Sequence, residues 1–480
     1  MTLSPTSARR PRAGWTFAIV SVALFMTALD NLVVSTALPT IRVDLGASLE
    51  SLEWTVNAYT LAFAVLLLAG AALGDRFGRK RMFSIGVSLF TASSAAAALA
   101  PSAGALVAAR GLQGVGAAIV LPLTLTLLSE AVPVAKRGLA IGAWSGISGL
   151  GVALGPVVGG AVVDGISWHW IFWLNVPIGL ALVPLAMRYL QESHGPAGRL
   201  DLPGIGLAGL GLLGVVFGIV RGEALGWTST PVVASIAAGL ALLVAFLAWE
   251  RRAPAPMLPL RFFKSRAFAA TNGASLAMFF GVFGSIFLLS QFFQTTQGVS
   301  PLESGLRVLP WTLMPMFVAP VAGILSDRIG ARPLMATGLA LQAIAIGWLA
   351  AVSTPTVAYA ALVVPFILAG TGMALVFAPA ANSVLGSVRP EEAGQASGAT
   401  NAIRELGGVL GVAVLASVFT ANGGYESPAA YVDGMTAALP IGAAVLAVGA
   451  VLALLIPAKK RTAAETAAEL PAHALAEAAM

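Results

Sequence analysis

Residues 71–81 read Ala71-Ala72-Leu73-Gly74-Asp75-Arg76-Phe77-Gly78-Arg79-Lys80-Arg81, and residues 323–332 read Gly323-Ile324-Leu325-Ser326-Asp327-Arg328-Ile329-Gly330-Ala331-Arg332. Both follow one pattern, x-x-Leu-x-Asp-Arg-x-Gly-x-basic, and each stands between two long apolar runs. An acid, several bases and a glycine packed between apolar runs describe a tight polar turn joining two helices. Its recurrence in the second part of the chain points to an internal repeat.

The surrounding composition says where such helices sit. Of 480 residues, 58% are hydrophobic and only 10% are charged, and mean hydropathy is +0.89. Soluble domains carry about 25% charged residues, so this chain cannot cover a water-facing surface. Its 53 Gly and 28 Pro fall within the apolar runs, where membrane helices tolerate them. A spanning helix needs about 20 apolar residues. Fourteen segments qualify: 15–38, 54–73, 82–101, 105–129, 138–163, 168–190, 203–221, 231–249, 267–293, 308–325, 334–351, 357–384, 396–421 and 434–456.

Charge orients them. On an alternating path from a cytosolic N-terminus, 22 of the 27 bases lie on the cytosolic side. Only Arg42, Arg221 and Arg307 lie on the other side, and Arg110 and Arg404 lie within spans. That bias obeys the positive-inside rule, and dropping one span would invert everything downstream of it. Both termini are therefore expected in the cytosol, and this topology explains the basic pI better than nucleic-acid binding does. No cleavable leader is expected, because the Arg9–Arg12 cluster runs into an apolar stretch too long for one.

Setting spans seven and eight aside as an insert leaves two six-span halves, with the two Asp-Arg-x-Gly turns at equivalent places. The expected organisation is an N-tail (1–14), a six-helix bundle (15–190), two inserted helices (203–249), a cytosolic interfacial segment (250–266), a second bundle (267–456) and a C-tail (457–480). Bundles related by an axis along the membrane normal mark a secondary-transporter architecture with a central site. The fold class expected is all-α and polytopic.

The charges within spans narrow the chemistry. Among the acids only Asp30 and Glu405 fall well inside spans, with Glu130, Asp164, Glu223 and Glu250 near helix ends. Each ionisable group at a helix centre costs about 2.5–3.5 kcal/mol on insertion scales, so Asp30, Arg110, Arg404 and Glu405 together are too costly to be incidental. Asp30 lies eight residues before the end of span one, about 12 Å deep at 1.5 Å per residue. Span four brings Arg110 to the same depth from the same side. The two are expected to face each other across the cavity and to share one proton-sensitive site; a plain folding ion pair predicts the same proximity. Arg110, Gln113 and Gly114 share one helix face at i, i+3 and i+4, whereas the neighbours Arg404 and Glu405 are expected on different faces. Gly151, Gly155 and Gly159, spaced by four, permit close helix approach. Trp168, Trp170 and Trp173 read as interfacial anchors. Asn57, Tyr59, Gln291, Gln294 and Asn382 are weaker candidates for substrate contact.

Those stretches carry a resemblance. The chain resembles the major facilitator superfamily, in its fourteen-helix drug:proton antiporter branch, over almost its whole length. The Asp75 turn, with Arg76, Gly78, Arg79 and Lys80, looks like that superfamily's cytosolic gating motif, with Ala71 where Gly is usual. Asp327, Arg328 and Gly330 are its second copy. Arg110-Gly111-Leu112-Gln113-Gly114-Val115-Gly116 resembles the proton-linked motif. Gly151-Val152-Ala153-Leu154-Gly155-Pro156-Val157-Val158-Gly159-Gly160 resembles the exporters' antiporter motif. Leu29-Asp30 to Pro39 is similar to the branch's first-helix signature, differing at Leu32 and Ser35, and Trp168 to Pro177 and Gly394 to Gly398 complete the pattern.

The resemblance implies a proton-driven exporter of small amphipathic drugs, antibiotics or antiseptic-like cations, working by alternating access in a bacterial cytoplasmic membrane. Asp30 and Arg110 would couple proton to substrate, with Gln113, Arg404 and Glu405 assisting. Asp75 and Asp327 would lock the cytosolic gate. One proton moving through 100 mV releases about 2.3 kcal/mol, enough for a gradient of about fifty-fold. No phosphate-binding G-x-x-x-x-G-K-[ST] loop occurs, so neither ATP hydrolysis nor an ATPase subunit is expected. With no Cys and three scattered His, no metal or other cofactor is expected beyond the proton. The expected partners are a small-molecule substrate and the lipid bilayer, without nucleic acid, and the protein is expected to be a monomer. The nearest alternative is a transporter of a metabolite, peptide or lipid-like molecule. A membrane enzyme or a channel fits less well, since no polar catalytic cluster is present and a channel needs no paired gates.

Overall fold

The computed structural model describes residues 13–195, 201–389 and 392–458. Among the described residues the chain is helical throughout, without strands. In order the helices are α1 (Ala13–Asp44), α2 (Leu49–Phe77), α3 (Arg79–Ala98), α4 (Ala103–Ala131), α5 (Val134–Gly165), α6 (Trp170–Trp173), α7 (Asn175–Tyr189), α8 (Leu202–Leu225), α9 (Thr230–Glu250), α10 (Arg266–Gln297), α11 (Pro301–Ile329), α12 (Ala331–Val352), α13 (Tyr359–Leu385), α14 (Ala393–Asn422) and α15 (Pro428–Leu454).

Local sequence sets these boundaries. Ser48, Ser102, Ser265, Ser300 and Ser427 cap α2, α4, α10, α11 and α15, each side chain accepting a backbone N–H from three residues on. Such caps satisfy donors that a helix start leaves unpaired. The repeated turns are alike in backbone as well as in sequence. Gly78 (φ 101°) joins α2 to α3, and Gly330 (φ 86°) joins α11 to α12. A side chain is strained at such φ values, which explains the glycine in each copy.

Eleven of the described helices are long and apolar enough to cross a membrane, or twelve when α2, bent by 52° near Leu68, counts as one span. The other two expected segments, 82–101 and 138–163, coincide with α3 and α5. α3 is less apolar than its neighbours because Ser84, Ser93, Ser94 and Thr91 are buried along it, packed against α4 and α7. The sixth segment is divided between α6 and α7.

α1 packs on α5, α2 and α3 pack on α4, and α3 also packs on α7. In the second half α10 packs on α14 and α15, and α12 on α13 and α15. Two seams join the halves, α5 against α11 and α2 against α14. The inserted α8 and α9 pack on each other, and α8 covers the α2–α14 seam through Leu61, Leu212, Val216, Val409 and Ala413.

Two residues depart from expectation. Glu53 stands one residue ahead of the second predicted span, yet α2 begins at Leu49 and leaves Glu53 only 3% exposed. Trp168 is no lipid anchor: it is 2% exposed and donates its indole N–H to Asp44 at 2.7 Å. Trp170, by contrast, is exposed.

The segment between α9 and α10 is held to the second half rather than lying loose on its surface. A 3-10 turn at Leu260–Lys264 buries Phe262 in a small apolar cluster with Phe268, Val384, Ala396 and Ala399. Arg261 reaches Glu392 at 2.6 Å, and Glu392 also accepts from Arg389 at 2.8 Å. The Arg389 hydrogen bond holds the Glu392 carboxyl below its usual range. A depressed carboxyl stabilises the fold at neutral pH and loses that contribution as pH falls through its folded-state value. Hydrogen-exchange protection of residues 258–264 is therefore expected to drop on acidification below the ordinary carboxylate range. In Glu392→Gln the protection should be low at every pH.

Candidate functional site

α1 and α4 run side by side, and each carries a charge at mid-length. Arg110 Nη1 donates to Asp30 Oδ2 at 2.6 Å and to Gln113 Oε1 at 2.7 Å. Gln113 Nε2 donates to Asp30 Oδ1 at 2.9 Å, and so does Asn175 Nδ2 of α7, also at 2.9 Å. Ser94 of α3 accepts from Asn175 at 3.0 Å and donates to the Phe172 carbonyl at 2.9 Å. Arg110 Nε donates to the Thr55 carbonyl of α2 at 3.2 Å, and its guanidinium lies 4.2 Å from the centre of the Tyr59 ring.

Asp30 and Arg110 thus meet as their depths predicted, but not across a cavity. Asp30 is 2% exposed and Arg110 1%, and both lie within the first half, behind Tyr59. Buried ions need partners for their remaining lone pairs and protons, and five helices supply them here. Asn175 and Ser94 had not been singled out from sequence. Asn175 is the one amide in the Trp168–Pro177 stretch, which was the available signal.

The cavity lies farther toward the second half. Its volume is about 190 Å³, and its aromatic walls include Tyr59, Phe63, Phe279, Phe283, Trp311 and Phe377. Thr27, Thr312 and Glu405 add polar groups. The Trp311 indole N–H and Glu405 Oε2 are buried at this wall and have no hydrogen-bond partner. Such a wall, mostly apolar with a few convergent polar groups, suits a small amphipathic ligand. Arg404 does not line this cavity, although it lies near two of its rings. Its guanidinium lies 5.6 Å and 5.9 Å from the centres of the cavity-wall rings Phe377 and Phe279.

Of the amide and phenol candidates, only Tyr59 lines this cavity. Gln294 donates to the Thr36 carbonyl at 2.8 Å and Gln291 to the Phe287 carbonyl at 2.8 Å. Asn382 is exposed. Asn57 is fully buried, with neither of its amide atoms hydrogen-bonded.

The glycine motif seats α1. A side chain at Gly151 would meet Ala28 at 3.1 Å, one at Gly155 would meet Leu32 at 2.8 Å, and one at Gly159 the Val33 carbonyl at 2.9 Å. At Gly160 the contact changes partner. Gly160 abuts the Pro301 carbonyl of α11, and Gly305 of α11 abuts the Pro156 carbonyl in return. The motif therefore reaches both the Asp30 helix and the opposite half.

Every contact just described between α5 and α11 lies at one end of the molecule. At that end Ser290 of α10 donates to the Ser35 carbonyl at 3.2 Å, and Arg42 of α1 stacks 3.7 Å from the centre of the Tyr425 ring. At the other end, which carries the Asp75 turn, the ion pairs of the described residues stay within single halves. Asp75 accepts from Arg79 at 2.7 Å, and Arg79 also pairs with Glu130. Glu192 accepts the Lys80 and Arg81 backbone N–H groups at 2.9 and 3.1 Å. In the second copy Arg328 is exposed, and the side chain of Asp327 lies outside the described residues. The halves are closed at the end away from these turns.

The family model of the Major Facilitator Superfamily matches residues 20–412 and, in a second match, 273–476. The chain belongs to the major facilitator superfamily. Multidrug resistance protein Stp of Mycobacterium tuberculosis is 38% identical over 412 residues, covering 85% of this chain and 76% of that one. The puromycin resistance protein of Streptomyces alboniger is 35% identical, covering 95% and 94%. The methylenomycin A resistance protein of Streptomyces coelicolor is 33% identical, covering 97% of each. These relatives place the chain in the superfamily's branch of multidrug and antibiotic exporters. A bacterial homologue of the lysosomal transporter Spinster, solved inward-facing and unoccupied, shares the fold with a TM-score of 0.66 at 17% identity, covering 94% of this chain and 98% of that one. A peptide transporter solved with sulfate gives 0.66 at 16% identity, covering 94% and 97%. This major facilitator is thus a multi-pass membrane transporter, with bacterial relatives.

Within this major facilitator, Asp30→Leu leaves Arg110 charged, buried and unpaired, a defect costing about 3–5 kcal/mol. Its melting temperature in detergent should fall well below wild type. The double variant Asp30→Leu with Arg110→Met should recover most of the loss. A double variant no more stable than the single one would show that the pair is not what holds the five helices.

Proposed function

We propose that this protein is a proton-driven antiporter exporting small amphipathic compounds, drugs and antibiotics among them, by alternating access across a bacterial cytoplasmic membrane. The observation that carries the reading is the aromatic cavity between the halves, holding Glu405 with an unpartnered oxygen. Both termini and the Asp75 and Asp327 turns are cytosolic in this reading, with fourteen crossings. The closed end is then the outer face, and the state is inward-facing. The bundles 15–190 and 267–456 rock about the seams α5–α11 and α2–α14.

In the cycle, a compound enters the cavity from the cytosol, its apolar part against the aromatic rings and a cationic or polar group at Glu405. The outer seam opens, and a proton from outside takes the carboxylate oxygen that the compound had occupied. Competition at one carboxylate couples the two flows without a covalent step. Asp30, Arg110 and Gln113 act behind Tyr59, holding that ring and transmitting the charge state of the cavity to α1. This moves direct substrate competition from Asp30, whose oxygens are already taken, to Glu405. The glycine motif is the pivot, and the cytosolic turns Asp75-Arg76-x-Gly78-Arg79-Lys80 and Asp327-Arg328-x-Gly330 latch the inner side when the outer side opens. Names of the relatives support export of antibiotics; which compound this chain carries is a matter for transport assays.

Inverted membrane vesicles test the reading. Ethidium and puromycin, added to vesicles with an imposed pH gradient, should exchange for protons in wild type. In Glu405→Gln, at equal expression, exchange should fall to the level of vesicles lacking the protein. Normal coupling in Glu405→Gln would remove the cavity carboxylate from the mechanism.

A further inference from the structure

Four groups crowd the outer end of the α2–α14 seam without forming a conventional ion pair. Glu53 of α2 is 3% exposed, and its Oε2 has no hydrogen-bond partner. Arg42 of α1 lies over the Tyr425 ring at 3.7 Å, with its Nε unpartnered. Tyr425, in the connection between α14 and α15, donates to Gln291 of α10 at 2.5 Å. Burial raises the Tyr425 hydroxyl far above the ordinary range, so the ring stays a donor. Arg42 and Tyr425 come from opposite halves, and their stack exists only while the seam is closed. Beneath that stack the seam encloses a carboxyl group, which is costly to bury as an unpaired ion.

We propose that Glu53 is a second proton-binding carboxylate of the transport cycle, which must take up a proton from outside before the outer seam can close over it. This rests on the exporter reading and adds a coupling residue to it. The neighbouring charges leave Glu53 to act alone. Glu50, on the same helix, is paired with Arg221 of α8 at 2.7 Å. Arg42 is engaged by the Tyr425 ring, and Tyr431 of α15 donates to the Leu288 carbonyl at 2.7 Å. Arg110 of α4 and Arg404 and Glu405 of α14 stand at the level of Tyr59, about 9 Å farther along α2.

The same face of α2 carries a second unsatisfied polar group. Asn57 lies one turn on from Glu53, at i+4, fully buried with both amide atoms unpartnered. Beyond it are Tyr59 and the Glu405 cavity. An unprotonated Glu53 draws water and reopens the seam.

The seam can be followed without any transport. The chain has no cysteine, so nitroxide labels at Val43→Cys and Ala429→Cys, both exposed positions at this end, report its width by pulsed electron resonance in nanodiscs. In the otherwise native chain, the closed population should grow relative to the open one as pH falls from 8.5 to 5.5. The steepest change expected for one proton is about tenfold per pH unit. Glu53→Gln should be closed throughout, with this response flattened, and Glu53→Asp should keep a response. A native response in Glu53→Gln, or a flat one in Glu53→Asp, would overturn the proposal. Proton-coupled ethidium exchange in vesicles of the unlabelled protein separates the two readings. If exchange is absent while the seam still responds through Glu53, the exporter reading fails and the proton-dependent seam stands.

Discussion

A guanidinium at the middle of an apolar helix cannot be left unpaired, and the arrangement of the first half follows from meeting that demand for Arg110. Its charge is matched by Asp30 on α1, and its other donors go to Gln113 on its own helix and the Thr55 carbonyl on α2, while Asp30 accepts in turn from Gln113 and from Asn175 on α7, which Ser94 on α3 holds. Each helix that contributes is fixed in rotation and depth relative to α4. The glycines of α5 then bring that helix onto α1 at Ala28, Leu32 and Val33, one turn to either side of Asp30. Breaking one member of such a network leaves the others desolvated and unsatisfied. A rigid first half follows, and a rigid half can move as a body against the other.

Among the described residues the second half has no equivalent knot. Arg404 keeps Nε and Nη2 unpartnered beside Phe279 and Phe377, and Glu405 keeps one oxygen unpartnered at the cavity. This asymmetry fits a division of labour in which one bundle carries a satisfied structural network and the other carries the charge that meets cargo. The halves touch through small residues, with Gly160 against Pro301 and Gly305 against Pro156. Close backbone contact at these glycines leaves no large side chain to repack there when that part of the seam opens.

Much of this was legible in the sequence, for identifiable reasons. Helix positions follow from runs of apolar residues that only a bilayer would demand, and the glycines of the two Asp-Arg-x-Gly turns mark where two of them end. The meeting of Asp30 and Arg110 followed from depth alone, because both helices rise at a fixed 1.5 Å per residue. Facing was harder to read. A helix apolar on all sides has no solvent side to betray its orientation, so Gln291 and Gln294, chosen for polarity, turn out to bond backbone carbonyls. Glu53 was hidden for a different reason: α2 starts before its apolar run does, and a boundary drawn on hydropathy left a buried acid outside. Asn175 and Ser94 were invisible as partners, because neither residue type announces a contact across helices.

The account depends most on the outer seam being a moving part. Ser35 of α1 and Ser290 of α10 stand at that seam, joined by the hydrogen bond from the Ser290 hydroxyl to the Ser35 carbonyl. In a chain without native cysteine, the pair Ser35→Cys and Ser290→Cys can be oxidised to a single disulfide bridging the halves. Export measured in the same vesicles before oxidation, after oxidation and after reduction is the most direct test. Alternating access predicts export that stops when the bridge forms and returns when it is reduced. Export continuing through a fully formed bridge would mean that the halves do not part at this seam, and the mechanism would have to be abandoned.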